Sequence, residues 1–240
     1  MTKLDVLVFS VHPDDAELGC GGTICKLVAE GKRVGIIDLT RGELGTRGNA
    51  EIRAQEAAAA SEVLQLHMRG NLGFRDGFFV QDEAHQLAIV EQVRLYRPEI
   101  VITNAPHDRH PDHGRASKLV RDAVFLAGLR KVPTTYQGQP QQAWRPGRLF
   151  YFIQDYYLEP NFVVDITPYF EQKQAAILAF KSQFHNPDNS KEPETYISNS
   201  DFWHFLEARS RTMGHKIGVT HGEGFISEQP LKINDLMGLI

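Results

Sequence analysis

Short runs of apolar β-formers recur along the chain at residues 4–10, 33–39, 67–72 and 100–103, and further runs follow at 149–153 and 162–165. Between them the apolar spacing changes to the helical period. Residues 22–30 read as a first helix, and Asn49 can cap a second across the alanine-rich stretch 51–64. A third covers 82–96, where Leu87, Val90 and Val93 fall three apart before Pro98 stops the helix. A fourth is expected over 113–129. Thr167 and Pro168 supply a cap and a first-turn proline for a fifth over 169–180. The Pro- and Gln-rich stretch 132–146 is read as a long loop or flap, and the breaker-rich segment 182–194 as a loop on the substrate side.

Strands alternating with helices predict an α/β fold of the Rossmann-like, doubly wound kind, with a mostly parallel sheet flanked by helices. Such sheets bind ligands beyond the carboxyl ends of their strands, at the point where strand order reverses, commonly between the first and fourth strands. The chain has 240 residues and is 42% hydrophobic, enough for one large core, so a single domain over 1–240 is expected.

A net charge of −4, with acids and bases interspersed, gives no electrostatic footprint for nucleic acid. No apolar stretch approaches the roughly 18 residues of a membrane span, and Met1-Thr2-Lys3 leads directly into the first strand-like run. The expectation is a cytoplasmic protein with no membrane partner. Cys20 and Cys25 lack a metal-binding spacing and are read as inert packing residues.

Chemistry concentrates just after the first and fourth strands. His12-Pro13-Asp14-Asp15 follows one, and His110-Pro111-Asp112-His113 follows the other. If a helical turn begins after Pro13, His12 and Asp15 face one centre, His113 supplies a third ligand, and a coordination position stays open for water. A catalytic zinc lowers the pKa of such a water to about 7. Asp14 then accepts the proton, and His110, as a cation, can stabilise an oxyanion or protonate a leaving amine. Asp112 can orient a nearby histidine ring.

Two other readings stay open. Gly19-x-Gly21 after a strand, with Asp38 near the end of the next, approaches a dinucleotide fingerprint, but the third glycine position is Ile24 and Asp14, Asp15 and Glu17 would crowd a pyrophosphate. The glycines are therefore expected to serve helix–sheet packing. Two histidines and a carboxylate also define a non-haem iron triad; the additional acid–base pair Asp14 and His110 favours hydrolysis.

Together with Gly21-Gly22-Thr23, Thr40-Arg41-Gly42-Glu43-Leu44-Gly45, Arg53-x-x-Glu56 and Pro106-His107-Asp108, both histidine motifs resemble the LmbE-like, or PIG-L, family of metal-dependent N-acetylglucosamine deacetylases. The resemblance runs from residue 4 to about 225. Lys181-Ser182-Gln183-Phe184, Lys191-Glu192-Pro193-Glu194-Thr195 and residues 202–217 are most similar to the bacillithiol-biosynthesis deacetylases of low-GC Gram-positive bacteria.

That resemblance implies zinc, or ferrous iron, on His12, Asp15 and His113, with Asp14 as general base. It implies an oxyanion or leaving-group role for His110 supported by Asp112, and sugar hydroxyls on Arg53. Arg109 and Tyr196 are further candidate substrate contacts, Arg109 or Arg53 for an anionic aglycone. The implied partner is a small amino-sugar substrate, most closely N-acetylglucosaminyl-malate, and the implied assembly is a homo-oligomer, often a hexamer. His221 stands where that branch leads one to expect tyrosine. From spacing alone, Arg53 and Glu56 also suit an i,i+3 surface pair.

Overall fold

Every residue of strand β1 (Val6–Ser10) is buried, because its alternating side chains face two different helix layers. Leu7 and Phe9 join one core and Val6 and Val8 the other. The computed structural model describes residues 3–184 and 192–237. After β1 come α1 (Asp15–Ala29), β2 (Val34–Thr40), α2 (Ala50–Leu64), β3 (Met68–Phe74), α3 (Glu83–Tyr96), β4 (Ile100–Asn104) and α4 (Pro111–Ala127). The second half contains β5 (Thr135–Tyr136), β6 (Gln139–Pro140), β7 (Arg148–Phe152), β8 (Phe162–Asp165), α5 (Phe170–Leu178), α6 (Asp201–His215) and β9 (Gly222–Ile226).

Seven strands form one sheet in the order β3-β2-β1-β4-β7-β9-β8. The first five in that order pair in parallel, and β9 runs antiparallel to both β7 and β8. Helices α3 and α4 cover one face through Ile89, Val90, Val93, Leu119 and Val120. The other face packs against α1 and α5 through Cys20, Ile24 and Ala176, and a third cluster joins α2 and α6 to that layer through Ala60, Phe180 and Phe202. The expected mostly parallel, helix-flanked α/β sheet is the one observed. Strand order reverses between β1 and β4, and both histidine motifs leave the sheet there.

Several local expectations change. Helix α1 opens at Asp15 rather than residue 22, but its backbone breaks helical geometry at Cys20 (φ −143°, ψ 19°). The second piece is capped from another strand. Glu223 of β9 accepts from the Gly22 and Thr23 amides at 2.9 and 2.7 Å and from Thr23 Oγ1 at 2.6 Å, while Lys173 Nζ donates to the same carboxylate at 2.6 Å. An acid on the far side of the sequence thus satisfies the free amides of a helix start. The glycine run permits the close approach. A Cβ on Gly19 would lie 2.1 Å from the Phe152 ring, and one on Gly22 would lie 2.7 Å from Ile166.

Residues 132–146 are no flap over the site. Arg94 is buried and its guanidinium donates to the carbonyls of Ala127, Leu129 and Val132 and to Thr134 Oγ1, while Trp144 Nε1 donates to the Pro98 carbonyl. These contacts pin the β5–β6 hairpin beside the end of α3, near the amino-terminal end of β4 and away from the strand carboxyl ends. Thr167 does not cap α5 by its side chain. It opens a 3-10 turn and accepts from the His221 amide instead. Within the expected loop 182–194, residues 185–191 lie outside the described residues. Both cysteines are free and buried.

Candidate metal centre

Where β1 ends, Asn104 at the end of β4 accepts from the Val11 amide at 3.1 Å, tying the two switch-point strands together. The chain then turns at Asp14, which adopts φ 126°, a region L-residues avoid at a cost of about 1–3 kcal/mol. That turn separates the two aspartates. Asp15 begins α1 and faces inward, its carboxylate accepting from the His12 amide at 2.9 Å, Gln154 Nε2 at 2.7 Å and Asn104 Nδ2 at 3.3 Å.

Two imidazoles flank Asp15. His12 Nδ1 lies 3.4 Å from Oδ2, and His113 Nε2 lies 3.3 Å from Oδ1. The opposite ring nitrogens meet other carboxylates, His12 Nε2 with Asp76 at 2.9 Å and His113 Nδ1 with Asp108 at 2.7 Å. An ionised carboxylate only accepts, so each outer pairing keeps a proton on the outer nitrogen, and the inner nitrogen facing Asp15 is the one whose lone pair is free when the ring is neutral. His110 completes the group, with His12, His110 and His113 close enough to share one ion. His12, Asp76 and Asp112 form a second, overlapping cluster of possible ligands.

The electrostatics call for a cation. Burial opposes charge on His12, yet its bonds to Asp15 and Asp76 outweigh that and lift its pKa to about 10. His113 is likewise opposed by burial but raised by Asp15 and Asp108, to about 9. Without a metal both rings hold a second proton against the acidic wall. A divalent ion bound there would replace those protons, and two imidazoles plus one carboxylate are a donor set of the kind that suits zinc or ferrous iron.

Asp14 is 4% exposed, and burial pushes its pKa up to about 7 despite the opposing cation of Arg53. The Arg53 guanidinium donates to Asp14 Oδ2 at 2.9 Å and to the Pro13 carbonyl. Arg53 and Glu56 are not paired, since Glu56 accepts from the Ser182 amide and hydroxyl. His110 is the N-cap of α4, its Nδ1 accepting from the Asp112 amide at 3.3 Å. Burial, then the neighbouring His12 and His113, hold its pKa below the usual histidine value. Asp112 accepts from the Gly77 amide and Arg115 rather than from a histidine.

A cavity of about 240 Å³ opens over this group, lined among others by His12, Asp14, Asp15, Arg53, His110 and His113. Arg109 lies at its edge. It pairs with Asp155 at 3.0 Å and sits 4.2 Å over the Tyr196 ring, and Tyr196 is 47% exposed. His221 is elsewhere, stacked on Phe170 with ring centroids 3.7 Å apart. The amides that a dinucleotide would need at Gly22 and Thr23 are taken by Glu223.

Residues 7–124 match the family described as PIG-L, GlcNAc-PI de-N-acetylase. A diacetylchitobiose deacetylase from Thermococcus kodakarensis is 30% identical over 233 residues, which cover 92% of this chain and 80% of that one. The chain belongs to the PIG-L, or LmbE-like, family of N-acetylglucosamine deacetylases. Among solved structures of similar fold, the conserved protein TT1542 from Thermus thermophilus superposes with a TM-score of 0.84 at 40% identity, covering 96% of this chain and 97% of that one. The N,N'-diacetylchitobiose deacetylase of Pyrococcus horikoshii gives 0.80 at 27% identity, covering 98% and 88%.

Within this PIG-L fold, sequence reasoning names the inward-facing residues but gives no role to Asp76, Asp108, Asn104 or Gln154. Asn104 carried one usable signal, its position at the carboxyl end of a switch-point strand, and Gln154 a weaker one, its position just past the carboxyl end of β7, the strand beside β4. Asp76, in a turn before Gly77, carried none.

Proposed function

We propose that the chain is a metal-dependent hydrolase that removes the acetyl group from an N-acetylglucosamine derivative with an acidic aglycone, N-acetylglucosaminyl-malate above all. The observation that carries this reading is the convergence of His12 Nδ1 and His113 Nε2 on the two oxygens of Asp15, with Asp14 beside them and ionising near neutrality. His12, Asp15 and His113 would hold the ion. When bound, it polarises the acetamide carbonyl and acidifies water.

The remaining work falls to the chain itself. Asp14, poised at a pKa matched to neutral pH, takes the proton from the attacking water. Its tie to Arg53 fixes the carboxylate toward the cavity. His110, its Nδ1 occupied by the Asp112 amide and its pKa held below the usual histidine value, faces the same centre and donates Nε2–H to the developing oxyanion, the leaving-group role expected of a cationic His110 being the weaker of the two. Arg53 lines the cavity, where its guanidinium can meet a sugar hydroxyl. A cavity of about 240 Å³ is small beside the roughly 300–1,000 Å³ of drug-sized sites, which suits one sugar ring inside with its aglycone at the rim. There Arg109 offers a cation that Asp155 already pairs, while Tyr196 lies behind it, lining a separate cavity with Phe202 and Phe205 and donating to the same Asp155. Family membership supports the reaction class, and the acidic aglycone rests on the rim and on the resemblance of 181–184 and 191–195.

The test is acetate release by metal-loaded protein from N-acetylglucosaminyl-malate and from free N-acetylglucosamine. The expected result is a higher kcat/KM for the malate glycoside, lost with a chelator and restored by zinc or ferrous iron. No acetate from either compound would overturn the reaction, and equal kcat/KM would overturn the acidic aglycone.

A further inference from the structure

The turn after β3 touches the metal centre at one atom. Asp76 is 5% exposed; its Oδ1 meets His12 Nε2 at 2.9 Å and its Oδ2 accepts from the Leu44 amide at 3.0 Å. The Asp76 amide in turn donates to Glu43 Oε1 at 2.8 Å. The next amide, Gly77, donates to Asp112 Oδ2 at 2.8 Å, and the Gly77 carbonyl accepts from Arg115 at 3.0 Å. Residues 76 and 77 therefore bind the cavity-wall loop at 43–44, the first histidine motif and the start of α4 into one network.

We infer that Asp76 is a positioning residue for the metal ligand His12, fixing the tautomer that presents Nδ1 inward and holding the ring through a loop anchored at Leu44. The inference rests on the metal reading above. A carboxylate accepts but does not donate, so His12 must carry its proton on Nε2. Asparagine has one acceptor oxygen for two donors; with that oxygen on the Leu44 amide, its NH₂ turns to Nε2 and favours the opposite tautomer, whose proton sits on the atom that should face the ion. Asp108 does the complementary service for His113 on the other ring nitrogen. The two ligands thus present different atoms, Nδ1 from one and Nε2 from the other, each set by its own acid.

Two measurements test this. Zinc affinity is read by competition with a chromogenic chelator for wild type and Asp76→Asn, with the melting temperature of each metal-free protein alongside. The expected result is a loss of about 10- to 100-fold in affinity in a protein that still unfolds cooperatively, its metal-free melting temperature lowered because His12 loses one of its two carboxylate partners. Nitrogen-15 NMR of the zinc-loaded wild type, which needs no variant to fold, should show His12 protonated on Nε2. Wild-type affinity in Asp76→Asn, or a proton on His12 Nδ1, overturns the role of Asp76. A wild-type chain with no zinc affinity overturns the metal reading and this role together.

Discussion

Replacing Glu223 with glutamine tests whether the glycine-rich start of α1 is a packing device held by protein charge. The carboxylate takes four hydrogen bonds, from the Gly22 and Thr23 amides, Thr23 Oγ1 and Lys173 Nζ, all between 2.6 and 2.9 Å. Lys173 is 6% exposed and Glu223 4%. Glutamine keeps the shape but loses the charge, and turns an NH₂ toward groups that are all donors. Removing one partner of a buried ion pair costs about 3–5 kcal/mol, because the other charge is left without compensation. At about 2–4 °C per kcal/mol for a chain of this size, the melting temperature should fall by about 6–20 °C. Calorimetry on the metal-free protein measures it. The double variant Glu223→Gln with Lys173→Met should recover part of the loss, since no stranded cation remains. A single variant melting within about 2 °C of wild type would refute the reasoning and reopen these amides to an exogenous anion.

Asp14→Asn should lower kcat by about 10²–10⁴ while leaving the metal content of purified protein unchanged; undiminished turnover would remove Asp14 from the mechanism. Asp14 acts as a base only when ionised, so kcat/KM should rise with pH through an apparent pKa of about 7 or lower, the ion's charge pulling it down, and then level off. The cation of Arg53 lowers the Asp14 pKa against burial, so Arg53→Met should move that acid limb to higher pH; an unmoved limb with an intact fold would show that another group controls it.

The main frame could be read directly from the pattern, because β1, β2 and β4 are buried and apolar enough to leave little choice. Local caps written in neighbouring residues were equally legible, as with Asn49, whose side chain accepts from the Ile52 amide. What escaped depends on partners far away in sequence. The break in α1 at Cys20 is stabilised by an acid about two hundred residues later, and no local signal announces it. Helix α6 and strand β9 were not predicted. Polar positions dominate the exposed side of α6, and β9 reads Gly-Glu-Gly-Phe-Ile, a poor strand pattern held by β7 and β8. In the site, the inward residues were legible because two His-Pro-Asp motifs sit at the switch point. The acids behind them were not, since Asp76 and Asp108 act through imidazoles and resemble any turn aspartate until the chain is folded.

The account depends on one ion at one place, and anomalous diffraction at the zinc edge from crystals of zinc-loaded protein tests it most directly. The predicted result is a strong peak between His12 Nδ1, Asp15 and His113 Nε2, with metal–nitrogen distances of about 2.0–2.1 Å and at least one further position open to solvent. No peak at that point, or a peak bound only by His12 Nε2, Asp76 and Asp112, would contradict it.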